Sequence, residues 1–120
     1  MKVLICGSRG FSNYNLLETV LDEIHAAMPI KEVVSGGAKG GDSLGEQWAY
    51  KNNVPIKQFL PDWKLYGKSA GFRRNKEMLR YIYPKKNRLV VAFWDGESHG
   101  TAHTIEEATA MHIVVKIVRY

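Results

Sequence analysis

The sequence has a single cysteine, Cys6, so no disulfide can form within the chain. That fits a reducing compartment. No apolar run approaches the ~18 residues of a membrane-spanning helix. Met1-Lys2 leads straight into a short strand-like run, without the apolar stretch of a secretory leader. These absences predict a cytoplasmic protein with no membrane partner. The four histidines (His25, His99, His103, His112) form no ligand pattern beyond His99-x-x-x-His103, so no metal is expected. No nucleophile elbow and no Cys/His pair is visible, and Cys6 reads as a small core residue. Of four prolines, Pro29 and Pro84 close helical patterns.

What is present suits one compact domain over residues 1–120, with 45% hydrophobic residues. The net charge of +5 is unevenly spread. Lys64 to Arg88 holds nine Lys/Arg and one acid, Glu77, leaving eight bases and eleven acids elsewhere. A basic segment on a mildly acidic body predicts an anionic partner.

Hydrophobic periodicity predicts strands over Lys2–Cys6, Glu32–Ser35, Val54–Leu60, Arg88–Trp94 and Ile113–Val118. Helices are expected from Asn15 to Met28, from Asp42 to Lys51, over 70–81 and from Thr101 to Met111. Ser12, Asn13 and Asn15 are all plausible caps of the first helix, and Asn15 and Glu18 have capping-box spacing. Asp42 is placed as a helix cap, and Phe72 is expected to face the core. Pro61–Ser69 reads as a loop. Strands alternating with helices predict an α/β fold: a doubly wound parallel sheet of about five strands, order 3-2-1-4-5, with helices on both faces. Ligands of such sheets bind beyond the strand carboxyl ends, where the order reverses. Three glycine-bearing loops would meet there: Gly7–Gly10, Ser35–Asp42 and Asp95–Thr101.

The chemistry expected of these loops is anion binding. Ser35-Gly36-Gly37-Ala38-Lys39-Gly40-Gly41-Asp42 joins a strand to a helix. Glycine lets the backbone approach a ligand, and a helix start presents free N–H groups to a phosphate. Gly100 and Thr101 would form a second lobe, assisted by Ser98. Arg9 follows the first strand and can grip a phosphate. Arg73 and Arg74 point about 100° apart on a helix, so one of them faces the ligand. Trp63 and Tyr66 either stack on a base or plug the core. Asp42 serves as a cap, as a ribose ligand, or both.

In order along the chain stand Gly7-Ser8-Arg9, Ser35-Gly-Gly-Ala-x-Gly-x-Asp42, Asp62-Trp63 with Tyr66-Gly67, Ala70-Gly71-x-x-Arg74-Asn75-x-x-Met78, and Gly96-x-Ser98-x-Gly100-Thr101. This series resembles the SLOG superfamily, in its YspA/YpsA-related branch. The resemblance implies a Rossmann-like domain that binds nucleotides or their derivatives, with no cofactor of its own. Relatives include the LOG phosphoribohydrolases, the DNA-processing protein A family and sensor domains for NAD- or ADP-ribose-like molecules. It also implies a homodimer or higher homo-oligomer.

Carried over residue by residue, Gly100-Thr101 matches the Gly-Thr of the LOG loop. Arg74 matches the arginine of the preceding helix and is the one candidate catalytic residue. The LOG glutamate, three residues after the threonine, falls here on Thr104; Asp42, Asp95 and Glu97 are the carboxylates nearby. The candidate ligand-binding set is Gly7, Ser8, Arg9, Ser35, Gly36, Gly37, Ala38, Gly40, Asp42, Trp63, Arg74, Asn75, Asp95, Ser98, Gly100 and Thr101. The leading expectation is a sensor or sequestering protein for a nucleoside phosphate, or for an ADP-ribose- or NAD-like molecule. The alternatives are N-glycosidic hydrolysis of a nucleotide and nucleic-acid binding through residues 64–88.

Overall fold

A computed structural model describes residues 1–120. Its elements run β1 (Lys2–Gly7), α1 (Tyr14–Ala27), β2 (Glu32–Ser35), α2 (Gly41–Lys51), β3 (Ile56–Gln58), α3 (Trp63–Tyr66), α4 (Ala70–Ile82), β4 (Arg88–Trp94), α5 (His99–Ala110) and β5 (Val115–Arg119). All strand pairs are parallel, in the order β3-β2-β1-β4-β5. The expected doubly wound sheet is present. β1 lies against β4 over its whole length, from Lys2 opposite Arg88 to Gly7 opposite Phe93.

Alternation along the strands builds two cores, because successive side chains leave a sheet on opposite faces. Val3, Ile5, Val33, Val91 and Phe93 meet Leu17 and Leu21 of α1 and Trp48 of α2 on one face. Leu4, Cys6, Val34, Val90 and Ala92 meet Met78, Leu79 and Ile82 of α4 and Ala108 of α5 on the other. Strands buried on both faces carry near-continuous apolar runs, as these do. Trp48 is fully buried, and its Nε1–H donates to Asp22 at 2.9 Å. Asp22→Ala should therefore cost about 1 kcal/mol, because the buried indole loses its acceptor. Urea unfolding of that variant measures it.

Several local expectations are corrected. α1 starts two residues earlier than a capping box at Asn15 would place it. Its cap is Asn13, whose side chain accepts from the Leu16 N–H at 3.0 Å, not Asn15. The third strand keeps only Ile56–Gln58, an exposed edge pairing with β2 alone. Ile56, Lys57 and Gln58 are all exposed, whereas Val54 lies before the strand and is buried in the core. Pro61–Ser69, a loop by composition, coils into α3, whose cap Asp62 accepts from the Leu65 N–H, and a 3-10 turn over Gly67–Ser69. α5 begins two residues before Thr101, and β5 is displaced to Val115–Arg119. Phe72 is 46% exposed rather than core; it stacks on His103, with centroids 4.2 Å apart. No helix is long and apolar enough to cross a membrane.

Candidate functional site

The reversal of strand order lies between β1 and β4, and above their carboxyl ends opens a cavity of about 340 Å³. Gly7 and Arg9 reach it from the end of β1, and Ala38 and Asp42 from the loop and helix after β2. Trp63 comes from α3, Arg74 and Asn75 from α4, and Ser98, Gly100 and Thr101 from the start of α5. The topology thus gathers ten of the residues singled out in the sequence, from five segments of the chain.

The remaining six shape the site from behind. The Ser35 hydroxyl is buried, donates to Glu46 at 2.6 Å and accepts from the Gly37 N–H at 3.1 Å. Ser8 is also buried; its hydroxyl accepts from the Asp95 N–H at 3.2 Å and so ties the β1 loop to the β4 loop. Asp95 accepts from the N–H groups of Glu97 and Ser98, both at 2.8 Å. Those bonds hold its carboxyl below the ordinary range. A Cβ at Gly36 would sit 2.5 Å from Arg74 Nη1 and 2.9 Å from Asp42 Oδ2, so only glycine lets that guanidinium reach the loop. Gly40 precedes α2 with φ +83°, its Cα facing the Ser8 and Arg9 carbonyls.

Asp42 is not the cap of α2. It lies in the first turn, after Gly40 in the cap position. Its carboxylate folds back to accept from the Ala38 N–H at 3.3 Å. It is buried, and that burial raises its pKa to about 6. The Ala38 N–H and the Arg74 charge oppose the rise without cancelling it, and Glu46 adds to it. Arg74 donates from Nη1 to the Gly36 carbonyl at 2.6 Å and from Nε to Asn75 Oδ1 at 3.0 Å. It clamps the glycine loop to α4 and keeps Nη2 without a protein partner. Arg9 and Lys68 are exposed at the cavity rim.

The two helix starts differ. The first turn of α2 already carries an acid, Asp42. α5 has no acid in its first turn and no side-chain cap. Its first bond runs from the Ala102 N–H to the Ser98 carbonyl at 3.1 Å, so the N–H groups of His99, Gly100 and Thr101 have no helical acceptor. α5 therefore has the more open N-terminus of the two. The position matching the LOG glutamate, Thr104, is buried and hydrogen-bonds back to the Gly100 carbonyl at 3.3 Å.

Six lining residues were not in the sequence-derived set: Cys6, Lys68, Gly71, Phe72, Met78 and Thr104. Cys6 is the last side chain of its alternation before the cavity, and burial pushes its thiol pKa up. Lys68 lay within the basic segment but in a stretch read as loop. Phe72 is apolar, which points to the core rather than to a cavity wall. Trp63 is 57% exposed, which removes the core-plug reading. Tyr66 lies under the Arg73 guanidinium, 4.4 Å from ring centroid to Cζ. No group of three or more His, Cys, Asp and Glu side chains is gathered anywhere in the chain.

Comparison with known proteins returns two findings. Residues 1–66 match the YspA, cpYpsA-related SLOG family. The chain is also similar to the Gene 61 protein of Mycobacterium phage D29, 35% identical over 120 residues, covering 95% of this chain and 93% of that protein. No solved structure matches significantly.

Proposed function

Because the chain belongs to the YspA, cpYpsA-related SLOG family, we propose that its cavity binds the phosphate end of a nucleotide-derived small molecule, as a sensor or sequestering protein. One observation carries the reading: the open N-terminus of α5, Arg9, Lys68 and the free edge of Arg74 all border one cavity at the strand-order reversal. The phosphate sits on the Gly100 and Thr101 N–H groups, with Ser98 beside it. Arg74 meets it from α4 and Arg9 from the rim. Trp63, half-exposed at the mouth, offers an aromatic face to the base.

A thermal-shift screen with AMP, ADP-ribose and NAD tests this. A saturating nucleotide should raise Tm by several degrees, since a ligand that binds only the folded state stabilises it. Arg9→Gln removes one charge-assisted contact and should weaken the hit about tenfold or more without changing the stability of the free protein. If no nucleotide shifts Tm, the reading fails.

A specific observation supports a second reading, hydrolysis of an N-glycosidic bond. Asp42 is the one carboxylate lining the cavity, and with a pKa near 6 it is poised for acid–base work. Water would then add across the bond, its oxygen to the sugar carbon and a proton to the leaving base. Chromatography of each hit after incubation separates the readings: free base appears only if the bond is cleaved.

A further inference from the structure

On the outer side of α4 lies a second, open cavity of about 530 Å³, lined by Arg73, Lys76 and Arg80 together with Tyr66, Phe72 and His103. The three cations recur at i, i+3 and i+7, which puts them on one helical face. None has a carboxylate within 4 Å: the ion pairs of the chain are Lys2–Glu32, Lys51–Glu18 and His103–Glu107. Glu77 also borders this cavity, yet it pairs with none of them. Arg73 is preorganised, since its Nε donates to Ser69 Oγ at 3.1 Å and its guanidinium stacks on Tyr66. The outer edge of its fork is thereby left for an anion.

Phe72 borders both cavities. Its ring is half-exposed and held parallel to His103, at an interplanar angle of 24°. His103 is itself fixed between Asn75, at 3.3 Å, and Glu107, at 3.6 Å. A large apolar ring kept at the surface between two cationic hollows is a stacking platform for a base.

We propose that the second cavity seats a second phosphate, so that the full ligand is a phosphodiester-linked dinucleotide laid across Phe72 rather than a mononucleotide. The inference rests on the first cavity being a phosphate site. Two finite hollows separated by one aromatic ring accommodate two phosphates with a nucleoside between them. Arg73, Lys76 and Arg80 neutralise the second phosphate.

The test is calorimetric titration with AMP and with the 5′-phosphorylated diadenylate pApA. The diadenylate should bind at least about tenfold more tightly than AMP, the difference made by a second charge-assisted phosphate contact. The variant Arg73→Gln/Lys76→Gln/Arg80→Gln changes exposed side chains on a helix surface, so its fold should survive. It should bring pApA down to the affinity of AMP, leave AMP unchanged, and flatten the salt dependence of pApA binding. Equal binding of AMP and pApA by the unaltered protein would overturn the inference while leaving the proposed function standing. Binding of neither would overturn the inference, and the proposed function with it only if ADP-ribose and NAD also fail to bind. Affinity that keeps rising from pApA to a ten-nucleotide strand would overturn the dinucleotide in favour of a nucleic-acid surface.

Discussion

Replacing Gly40 with alanine is expected to destabilise the protein by about 3–5 kcal/mol, the sum of backbone strain and forced overlap. Gly40 holds φ at +83° immediately before α2. An L side chain there incurs the left-handed penalty. The space is also taken, since a Cβ would collide with the Ser8 carbonyl oxygen and lie 2.8 Å from that of Arg9. Both obstacles are backbone, so no rotamer change relieves them. A loss of this size is a large fraction of the 5–15 kcal/mol typical of a domain. Gly10→Ala is the control: no atom lies within 4 Å of its Cβ position and its φ is not left-handed. Urea unfolding should separate the two by several kcal/mol. Similar midpoints would show that the β1 loop and the start of α2 can move apart.

Asp42→Asn should stabilise the protein in a pH-dependent way. The Asp42 pKa is about 6 in the folded protein against an ordinary 3.8. The folded state therefore binds the proton more tightly than the unfolded one. Between these values the unfolded chain releases its proton first, so stability falls as pH rises from about 4 to about 6. Above that range the full penalty is present, about 3 kcal/mol at 1.36 kcal/mol per pKa unit. Asparagine carries no charge at any pH and keeps an oxygen for the Ala38 N–H. The stability of the variant relative to the parent should thus grow by about 3 kcal/mol between pH 3.5 and pH 7. Chemical denaturation at both pH values measures it. A difference that does not change with pH would mean that the carboxylate is already well solvated or fully compensated by Arg74.

The two substitutions probe different properties of one loop. Gly40 secures its path, and Asp42 sets its charge. The charge also bears on the ligand. A protonated Asp42 removes a negative group from the cavity, whereas an ionised one repels a phosphate. Nucleotide affinity should accordingly be higher at pH 5 than at pH 7.5, and Asp42→Asn should abolish that part of the pH dependence, which titration calorimetry can follow.

The sheet was legible because its evidence is local. Apolar runs such as Arg88–Trp94 and the helices between them require parallel strands, and the glycine-bearing loops after the first, second and fourth strands imply the order. Family membership was legible because short motifs persist in sequence. The edge strand was less so: Val54–Leu60 alternates like a strand, yet only Ile56–Gln58 finds a partner. Phe72 was misread because helical periodicity identifies a face without showing what packs against it.

Ser35–Asp42 has the composition of a phosphate loop, and composition alone made it the centre of the site. The tertiary structure divides the work differently. Ser35 is bonded to Glu46, Gly36 makes room for Arg74, Gly40 for the Ser8 carbonyl, and Asp42 returns to Ala38. Most of that stretch is satisfied within the protein. The open donors belong to α5, whose loop is held by Asp95 and whose first turn lacks an acid. Sequence determined the sheet, the family and the neighbourhood of the site, because strand period, turn chemistry and motif order are properties of contiguous residues. Which N–H groups and which charges remain unspent for a ligand was decided only by the fold, because it depends on partners up to 87 residues apart, as Ser8 and Asp95 are.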